Sequence, residues 1–394
     1  MADSHPSYAS TSTSTPLAQK PHLNGHRKSL SPVARTKILL LGLRRAGKTS
    51  IQQVLFNKLP PKQTFFLETT MRIVKHIYDT VIPLEIWDCP GNITVDTLGA
   101  PLSQFTTLIF VIDIRDLYNQ PISKLVEFIV AAYRENVNIN FEVFVHKAEK
   151  LQEDDKIENF RQIHERVSDR LLDLSQEYEQ VQLGFHLTSV HDHSLHEAFS
   201  RVLHKMIDSL PYLEDLLNVF CANSQSPKAF LFDIASRLYL ATDASPVDSA
   251  TYSLCCDYLQ MLNSFGPLYK SITASPSRTQ KLTPTPPPSA SSASSPKSRS
   301  PSPPDNSTLP RASAHTNTKR PSKDIFYPSA ATSLQQTTPA TTLTYHLITP
   351  HLALLALVPT SVYEGRRGLL EYNVVFFREG VQEICDVEKE TRGG

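Results

Sequence analysis

A glycine-rich loop at residues 42–50 carries the residue types that bind nucleoside phosphates. Gly42, Gly47, Lys48 and Thr49 match the pattern G-x-x-x-x-G-K-[ST], with an apolar run before it and a helical pattern after it. The glycines let backbone N–H groups surround phosphate oxygens at a helix N-terminus, where the helix dipole is positive. Lys48 is expected to neutralise the β- and γ-phosphates and to act in catalysis, and the Thr49 hydroxyl is expected to ligate Mg²⁺. The other loop residues assigned to this site are Arg44, Arg45, Ala46 and Ser50.

A second set of polar residues follows the next apolar strand. Asp88 comes directly after a strand-like run and Gly91 follows three residues later. The carboxylate can hold Mg²⁺ through water, and the Gly91 N–H can donate to a γ-phosphate. The pattern D-x-x-G by itself is often only a turn. Upstream, Thr70 lies in a loop from which its hydroxyl reaches Mg²⁺ only when the loop is closed.

Two further strand ends carry residues that would select the base. His146, Lys147 and Glu149 form an [N/H]-K-x-acid loop, in which the carboxylate accepts two hydrogen bonds from guanine and the lysine stem packs on the ring. Thr188 and Ser189 follow the last strand-like run of this region. The order of the four elements along the chain is that of a small GTPase.

The pattern of residues 36–210 predicts a P-loop domain of the α/β class with a doubly wound, mainly parallel sheet. Strand-like runs lie at 38–41, 81–87, 108–112, 141–145 and 181–187, and helical patterns at 50–58, 122–135, 156–174 and 194–210. Residues 72–78 are predicted to form an antiparallel hairpin partner. Such sheets bind ligands at the carboxyl ends of their strands, where the four motifs lie.

The rest of the chain predicts a smaller α+β domain in two parts, 211–271 and 341–388. Strand-like runs lie at 228–234, 237–241, 343–348 and 351–358, with helices at 246–262 and 369–387. Sheet edges in so small a domain favour pairing between subunits. Residues 272–340 are a Ser/Pro-rich insertion that cannot bury a core and is predicted to be disordered, like the N-terminal tail 1–35, and residues 389–394 are assigned as a C-terminal tail.

Composition excludes several classes of protein. The 394 residues have a formal charge of zero and a pI near 7.2, so bulk capture of nucleic acid is not expected. Five cysteines without C-x-x-C spacing indicate free thiols in a reducing compartment. With Ala at position 2 and a C-terminal Arg-Gly-Gly, we expect no lipid anchor, so membrane attachment would come through a partner.

The motifs resemble those of the Rag/Gtr family of small GTPases, in particular its RagC/RagD branch. The stretches that carry this resemblance are LLLGLRRAGKTSIQ (39–52), IWDCPG (86–91), INFEVFVHK (139–147) and LTSVHDHS (187–194). The resemblance implies GTP or GDP with Mg²⁺ as ligands. It implies Gly42, Gly47, Lys48 and Thr49 at the phosphates and metal, Thr70 in switch I, Asp88 and Gly91 in switch II, and His146, Lys147 and Ser189 around the base.

The sequence departs from this branch at two site positions. The branch has aspartate where Glu149 stands, and the extra methylene predicts weaker guanine preference. It has a glutamine where Asn92 follows the switch II glycine, which is the position that orients the attacking water. We therefore expect slow hydrolysis without an activating protein. Arg44 and Arg45 are the alternative source of a catalytic arginine within the chain.

The resemblance also implies biological context. It implies a heterodimer with a RagA/RagB-type GTPase, formed through a roadblock-like C-terminal domain. It further implies a Ragulator/EGO-type scaffold on the cytoplasmic face of the vacuole or lysosome, a GTPase-activating protein, and amino-acid signalling to TOR complex 1. The alternative is a nucleotide-binding pseudo-GTPase that serves mainly as a dimer scaffold. A P-loop small-molecule kinase is disfavoured because no lid or acceptor-binding domain is apparent.

Overall fold

The computed structural model describes residues 35–79, 82–116, 119–269, 275–276, 325–334 and 340–393. Residues 1–34 of the predicted N-terminal tail and most of the predicted insertion lie outside the described residues. Within the described ranges the chain forms two domains, each built around its own sheet.

In the described residues the first domain is a six-stranded sheet with helices on both faces. Its strands lie in the order β2-β3-β1-β4-β5-β6, and all neighbours are parallel except the antiparallel pair β2–β3. This confirms the doubly wound, mainly parallel sheet. The strands are β1 (Thr36–Gly42), β2 (Val74–Asp79), β3 (Pro83–Asp88), β4 (Thr107–Asp113), β5 (Asn140–His146) and β6 (Leu183–Thr188), and the helices are α1 (Lys48–Phe56), α2 (Asn119–Glu135), α3 (Glu153–Leu174) and α4 (Ser194–His204).

Strand β1 shows how sequence periodicity builds the three layers. Ile38 and Leu40 pack in one core cluster with residues of α1 and α4, whereas Leu39 and Leu41 pack in a second cluster with residues of α2 and α3. Successive strand side chains point to opposite faces, so a strand covered on both faces must be apolar throughout. Burial on both faces fixes the carboxyl end of β1, where the phosphate-binding loop begins.

The second domain has a five-stranded antiparallel sheet in the order β11-β12-β13-β7-β8 within the described ranges. A separate pair of two-residue strands, β9 and β10, lies between α6 and β11 in the chain. The elements are α5 (Leu210–Ser224), β7 (Lys228–Asp233), β8 (Tyr239–Thr242), α6 (Ser249–Tyr269), β9 (Ser275–Pro276), β10 (Ile325–Phe326), β11 (Ser329–Leu334), β12 (Thr341–Leu347), β13 (Leu352–Pro359), α7 (Thr360–Gly365) and α8 (Arg367–Gly393).

Two predicted boundaries are wrong. Residues 272–340 were assigned to the insertion, but Ser329–Leu334 form strand β11, paired with β12 along its whole length. The segment was missed because its small and polar residues suit an edge strand that is half exposed. Helix α8 also continues to Gly393, within the predicted C-terminal tail.

The two domains share one hydrophobic core. Phe199 and Val202 of α4 belong to the same buried cluster as Leu213 of α5 and Leu240 of β8. The Tyr239 backbone N–H donates to the Ser200 hydroxyl at 3.0 Å across this junction. The domains are therefore packed directly on each other rather than joined by a free linker.

Candidate nucleotide site

The phosphate-binding loop connects β1 to α1 through backbone conformations that require its glycines. Gly42 has a φ of 141° and Gly47 a φ of 111°, both in the region that side chains rarely adopt. A Cβ on Gly42 would collide with the Val111 carbonyl oxygen, and one on Gly47 would press on the His146 ring. The loop is therefore packed against both β4 and the base loop, which fixes the direction of its N–H groups.

Lys48 lies inside this loop. Its side chain is 6% exposed, and Nζ donates to the carbonyl oxygens of Gly42 at 3.0 Å and Leu43 at 2.9 Å. Burial lowers the pKa of Lys48, and the nearby Asp88 carboxylate opposes part of that shift. The ammonium is thus held on the loop's own carbonyls, beside the cleft that the loop borders.

Three oxygen-bearing side chains meet next to Lys48. The Thr49 hydroxyl donates to Asp88 Oδ2 at 2.6 Å and lies 2.7 Å from the Thr70 hydroxyl, which is 3.1 Å from the same carboxylate oxygen. Asp88 is 1% exposed, and its Oδ1 has no hydrogen-bond partner among the described residues. Hydroxyl and carboxylate oxygens are the ligands that Mg²⁺ prefers, and an orphaned buried carboxylate oxygen is suited to bind a cation. The three residues therefore fit the predicted metal site.

Switch II closes over the phosphate loop at Gly91. A Cβ there would collide with the backbone nitrogen of Arg44, so only glycine allows this close approach. Asn92, predicted to be catalytic, is exposed and is not among the residues that line the cleft. The structure therefore brings Gly91 to the site but leaves the Asn92 side chain outside it.

The base end of the site is formed by the loops after β5 and β6. Lys147 has a φ of 66°, and its Nζ donates to the Arg45 carbonyl oxygen at 2.6 Å and to Asp113 Oδ2 at 2.9 Å. His146 is 1% exposed and its Nδ1 lies 3.0 Å from the Thr188 hydroxyl. Burial lowers the pKa of His146 to about 3, so its ring is neutral at neutral pH. Thr188 thus orients His146 rather than lining the cleft itself.

Glu149 faces the cleft and is held by the loop after β6. Its Oε2 accepts a hydrogen bond from the Ser189 hydroxyl at 2.7 Å, and the same hydroxyl accepts one from the His191 backbone N–H at 3.0 Å. Its Oε1 lies 3.9 Å from Lys150 Nζ. One carboxylate oxygen is therefore already engaged within the protein.

The cleft has a volume of about 850 Å³. Of the predicted residues, it is lined by Arg44, Arg45, Gly47, Lys48, Thr49, Ser50, Thr70, Gly91, His146, Lys147 and Glu149. It also has walls that sequence reasoning missed, namely the segment between α1 and β2 (Pro61, Lys62, Thr64, Phe65, Leu67, Glu68 and Thr69) and the residues Arg115, Lys150, Val190 and His191.

Asp113 and Arg115 form the most informative missed pair. Arg115 donates to Asp113 through Nε at 3.0 Å and through Nη2 at 2.8 Å. Burial would raise the pKa of Asp113, but the hydrogen bonds from Arg115 and Lys147 outweigh burial and lower it to about 2. Because β4 also ends at this sheet edge, the rule about strand ends would have found Asp113.

The fold and the site define a P-loop nucleotide-binding domain, and comparison with known proteins gives the family. The Gtr1/RagA G protein conserved region matches residues 37–259. The mouse "Ras-related GTP-binding protein D" is 36% identical over 363 residues, covering 91% of this chain and 70% of that protein. The human "Ras-related GTP-binding protein C" is 35% identical over 360 residues (90% and 78%), and the fission yeast "GTP-binding protein gtr2" is 44% identical over 237 residues (59% and 75%).

This chain therefore belongs to the Gtr1/RagA family of G proteins, in the RagC/RagD-like branch. The Dictyostelium discoideum "Ras-related GTP-binding protein A" is only 25% identical over 230 residues, which agrees with that branch. Among the helices that the structure describes, none is both long enough and apolar enough to cross a membrane.

Proposed function

We propose that the chain is a guanine-nucleotide switch that binds GTP and GDP with Mg²⁺ and hydrolyses GTP slowly without an activating protein. The contact of Thr49 and Thr70 with Asp88 carries this proposal, because it joins the phosphate loop to both switch segments. Thr70 comes from an irregular loop, so its position responds to what occupies the centre of the cluster. A segment ordered by phosphate and metal contacts is the usual basis of a nucleotide switch.

Thr49, Thr70 and Asp88 would hold Mg²⁺. When bound, the ion would neutralise charge that develops on the transferring phosphoryl group. Lys48 would offset charge on the same phosphates, and the exposed cations Arg44 and Arg45 border the cleft. With Asn92 outside the cleft, orientation of the attacking water is left to an activating protein. A permanently loaded pseudo-GTPase is not favoured, because the lysine, both threonines and the aspartate are all present.

The second domain supports the heterodimer proposal. Among the described residues, strand β11 is an edge of its sheet, with Ser329, Ala331 and Ser333 exposed. Helix α6 presents exposed apolar side chains at Leu254, Met261 and Phe265, a spacing that puts them on one helix face. A strand edge and an exposed apolar helix face each favour pairing with another subunit, and we propose a RagA/RagB-type GTPase as that subunit.

A second apolar surface supports attachment to a scaffold. Leu369, Tyr372 and Phe376 are exposed along one face of α8, and Tyr212 is exposed on the adjacent α5. We propose that this surface takes part in binding a Ragulator/EGO-type scaffold. The scaffold would hold the heterodimer on the cytoplasmic face of the vacuole or lysosome, where it signals amino-acid sufficiency to TOR complex 1. This context rests on membership of the RagC/RagD-like branch.

Nucleotide titration tests the proposal. Lys48→Ala removes the phosphate cation and Thr49→Asn removes the hydroxyl that contacts Asp88, so each should weaken Mg²⁺-nucleotide binding by about 1.5–3 kcal/mol. Fluorescent GDP and a non-hydrolysable GTP analogue report the affinities. Arg134→Ala, which removes an exposed cation on α2 that does not line the cleft, is the matched control and should change them little. Unchanged affinity in both phosphate-site variants would overturn the assignment.

A further inference from the structure

A lysine from the neighbouring helix holds the switch II backbone. Lys124 lies on α2 and is half-buried, and its Nζ donates to the carbonyl oxygen of Gly91 at 2.9 Å. Gly91 is 33 residues away along the chain, so this contact crosses from one βα unit to the preceding one. Lys124 is not among the described residues that line the cleft, and its one hydrogen bond toward the site is the bond to Gly91.

The Lys124 contact adds a hydrogen bond to a turn that is also held by packing. Pro90–Ile93 form a turn in which the Ile93 N–H donates to the Pro90 carbonyl oxygen at 3.2 Å. Ile93 is buried, and Gly91 lies against the Arg44 backbone. Glycine has more backbone freedom than any other residue, so its peptide needs an external contact to stay in one orientation. The Lys124 ammonium supplies that contact at the Gly91–Asn92 peptide.

We propose that Lys124 is a positioning residue that pre-orders switch II and thereby selects a nucleoside triphosphate over a diphosphate. The proposal rests on the proposed function and on the expectation from the sequence that the Gly91 N–H donates to the γ-phosphate. A triphosphate must order this turn when it binds, whereas a diphosphate has no group that reaches it. Because ordering backbone costs conformational entropy, a turn that is already ordered favours the triphosphate alone.

A simple charge effect is the competing explanation. The Lys124 ammonium interacts electrostatically with Lys48 and with Cys89, so it lies within range of the phosphate end of the site. Charge alone would strengthen binding of both nucleotides, more so for the more highly charged triphosphate, and added salt would screen it. It would leave the mobility of the Pro90–Ile93 turn unchanged in the nucleotide-free protein. The salt dependence of affinity and the mobility of the nucleotide-free turn therefore distinguish positioning from a charge effect.

The test compares Lys124→Met, Lys124→Arg and the control Arg134→Met in the full chain. Arg134 lies on the same helix and is exposed. Affinities for GDP and a non-hydrolysable GTP analogue are measured, together with amide hydrogen exchange of residues 91–93 without nucleotide. We expect Lys124→Met to lose about tenfold in affinity for the analogue, with GDP affinity within about twofold. Exchange in the turn should rise, Lys124→Arg should restore both readouts, and the control should match the wild type.

An equal loss for both nucleotides, no loss for either, or exchange unchanged by Lys124→Met would each overturn the proposal. If the wild-type chain bound no guanine nucleotide, the proposed function would fail instead. The exchange measurement on the nucleotide-free chain would still decide whether Lys124 orders the turn.

Discussion

At the base end of the cleft, Glu149 combines two tasks that compete for the same oxygens. Its carboxylate accepts a hydrogen bond from the Ser189 hydroxyl and lies near Lys150, yet a guanine base offers it two N–H donors. An aspartate at this position would place the carboxylate about one methylene farther back. The longer side chain of Glu149 therefore reaches the loop after β6. Because its carboxylate is hydrogen-bonded there, we expect the site to discriminate less strongly between guanine and other bases.

Glu149→Asp should sharpen that choice. The shorter carboxylate is expected to leave the Ser189 hydroxyl and accept both guanine donors, so preference for GTP over inosine triphosphate, which lacks the 2-amino group, should rise about tenfold. Competition binding measures the ratio of affinities. Glu153→Asp, in the exposed first turn of α3, is the matched control. A ratio that stays at the wild-type value would mean that Glu149 does not contact the base.

Sequence reasoning found the cleft residues whose types are fixed by chemistry. Gly47, Lys48 and Thr49 could be predicted because phosphate and metal need those groups at that spacing. Arg115 could not be predicted in this way. Its position depends on its hydrogen bonds to Asp113, which also binds Lys147 from the loop after β5. Asn92 was predicted as catalytic from its place after Gly91, but its side chain is exposed and does not line the cleft, which no spacing rule reports.

At the scale of elements, buried strands were predictable and the edge strand was not. Strands β1, β4 and β5 are apolar because both faces are covered, so their sequences report their structure directly. Strand β11 has the sequence Ser-Ala-Ala-Thr-Ser-Leu, and only its pairing with β12 makes it a strand. It lies at the end of a Ser/Pro-rich segment whose composition predicts disorder, so the strand was not predicted.

The open edge of β11 permits a sharp test of heterodimer formation. The Leu347 N–H donates to the Pro328 carbonyl, and alternation along the antiparallel pair leaves the Ala331 N–H directed away from β12. Ala331→Pro should therefore remove an edge donor without breaking the sheet, and Met261→Asp should place a charge on the apolar face of α6. We expect each to reduce association with a co-expressed RagA/RagB-type partner at least about tenfold.

Analytical ultracentrifugation of the full chain with its partner measures this association. Ile157→Asp is the matched control, since Ile157 is an exposed apolar residue on α3 of the first domain. It should leave the heterodimer intact, and nucleotide binding verifies that every variant is folded. If the control dissociated the complex while both second-domain variants remained associated, the first domain would be the dimer interface.

At the scale of the whole molecule, buried neutral histidines link stability to pH. Burial lowers the pKa of His146 and of His196 to about 3, and that of His204 and of His346 to about 4. They lie in the nucleotide site, on α4 at the junction of the two domains, and in strand β12. The folded protein therefore holds these four rings neutral at a pH where unfolded chains protonate them.

The lowered pKa values of these histidines determine whether the free energy of unfolding rises or falls with pH. Each folded pKa lies below the ordinary histidine value of 6.5, so the unfolded state binds more protons between about pH 6.5 and pH 4. The free energy of unfolding should fall as pH drops through that window, by about 2 kcal/mol for each such histidine at pH 5. The pKa of Asp233, raised by burial, acts in the opposite direction, whereas the lowered pKa of Asp113 matters only below its ordinary value.

The substitution His196→Leu measures how much one of these histidines contributes to the pH dependence of stability. Both ring nitrogens of His196 lack a hydrogen-bond partner among the described residues, so leucine removes a titrating group without breaking a bond there. Urea unfolding at pH 7, 6 and 5 should give a shallower dependence of stability on pH for the variant than for the wild type, by about 2 kcal/mol over the whole range. Equal slopes in wild type and His196→Leu would mean that folding does not lower the pKa of His196.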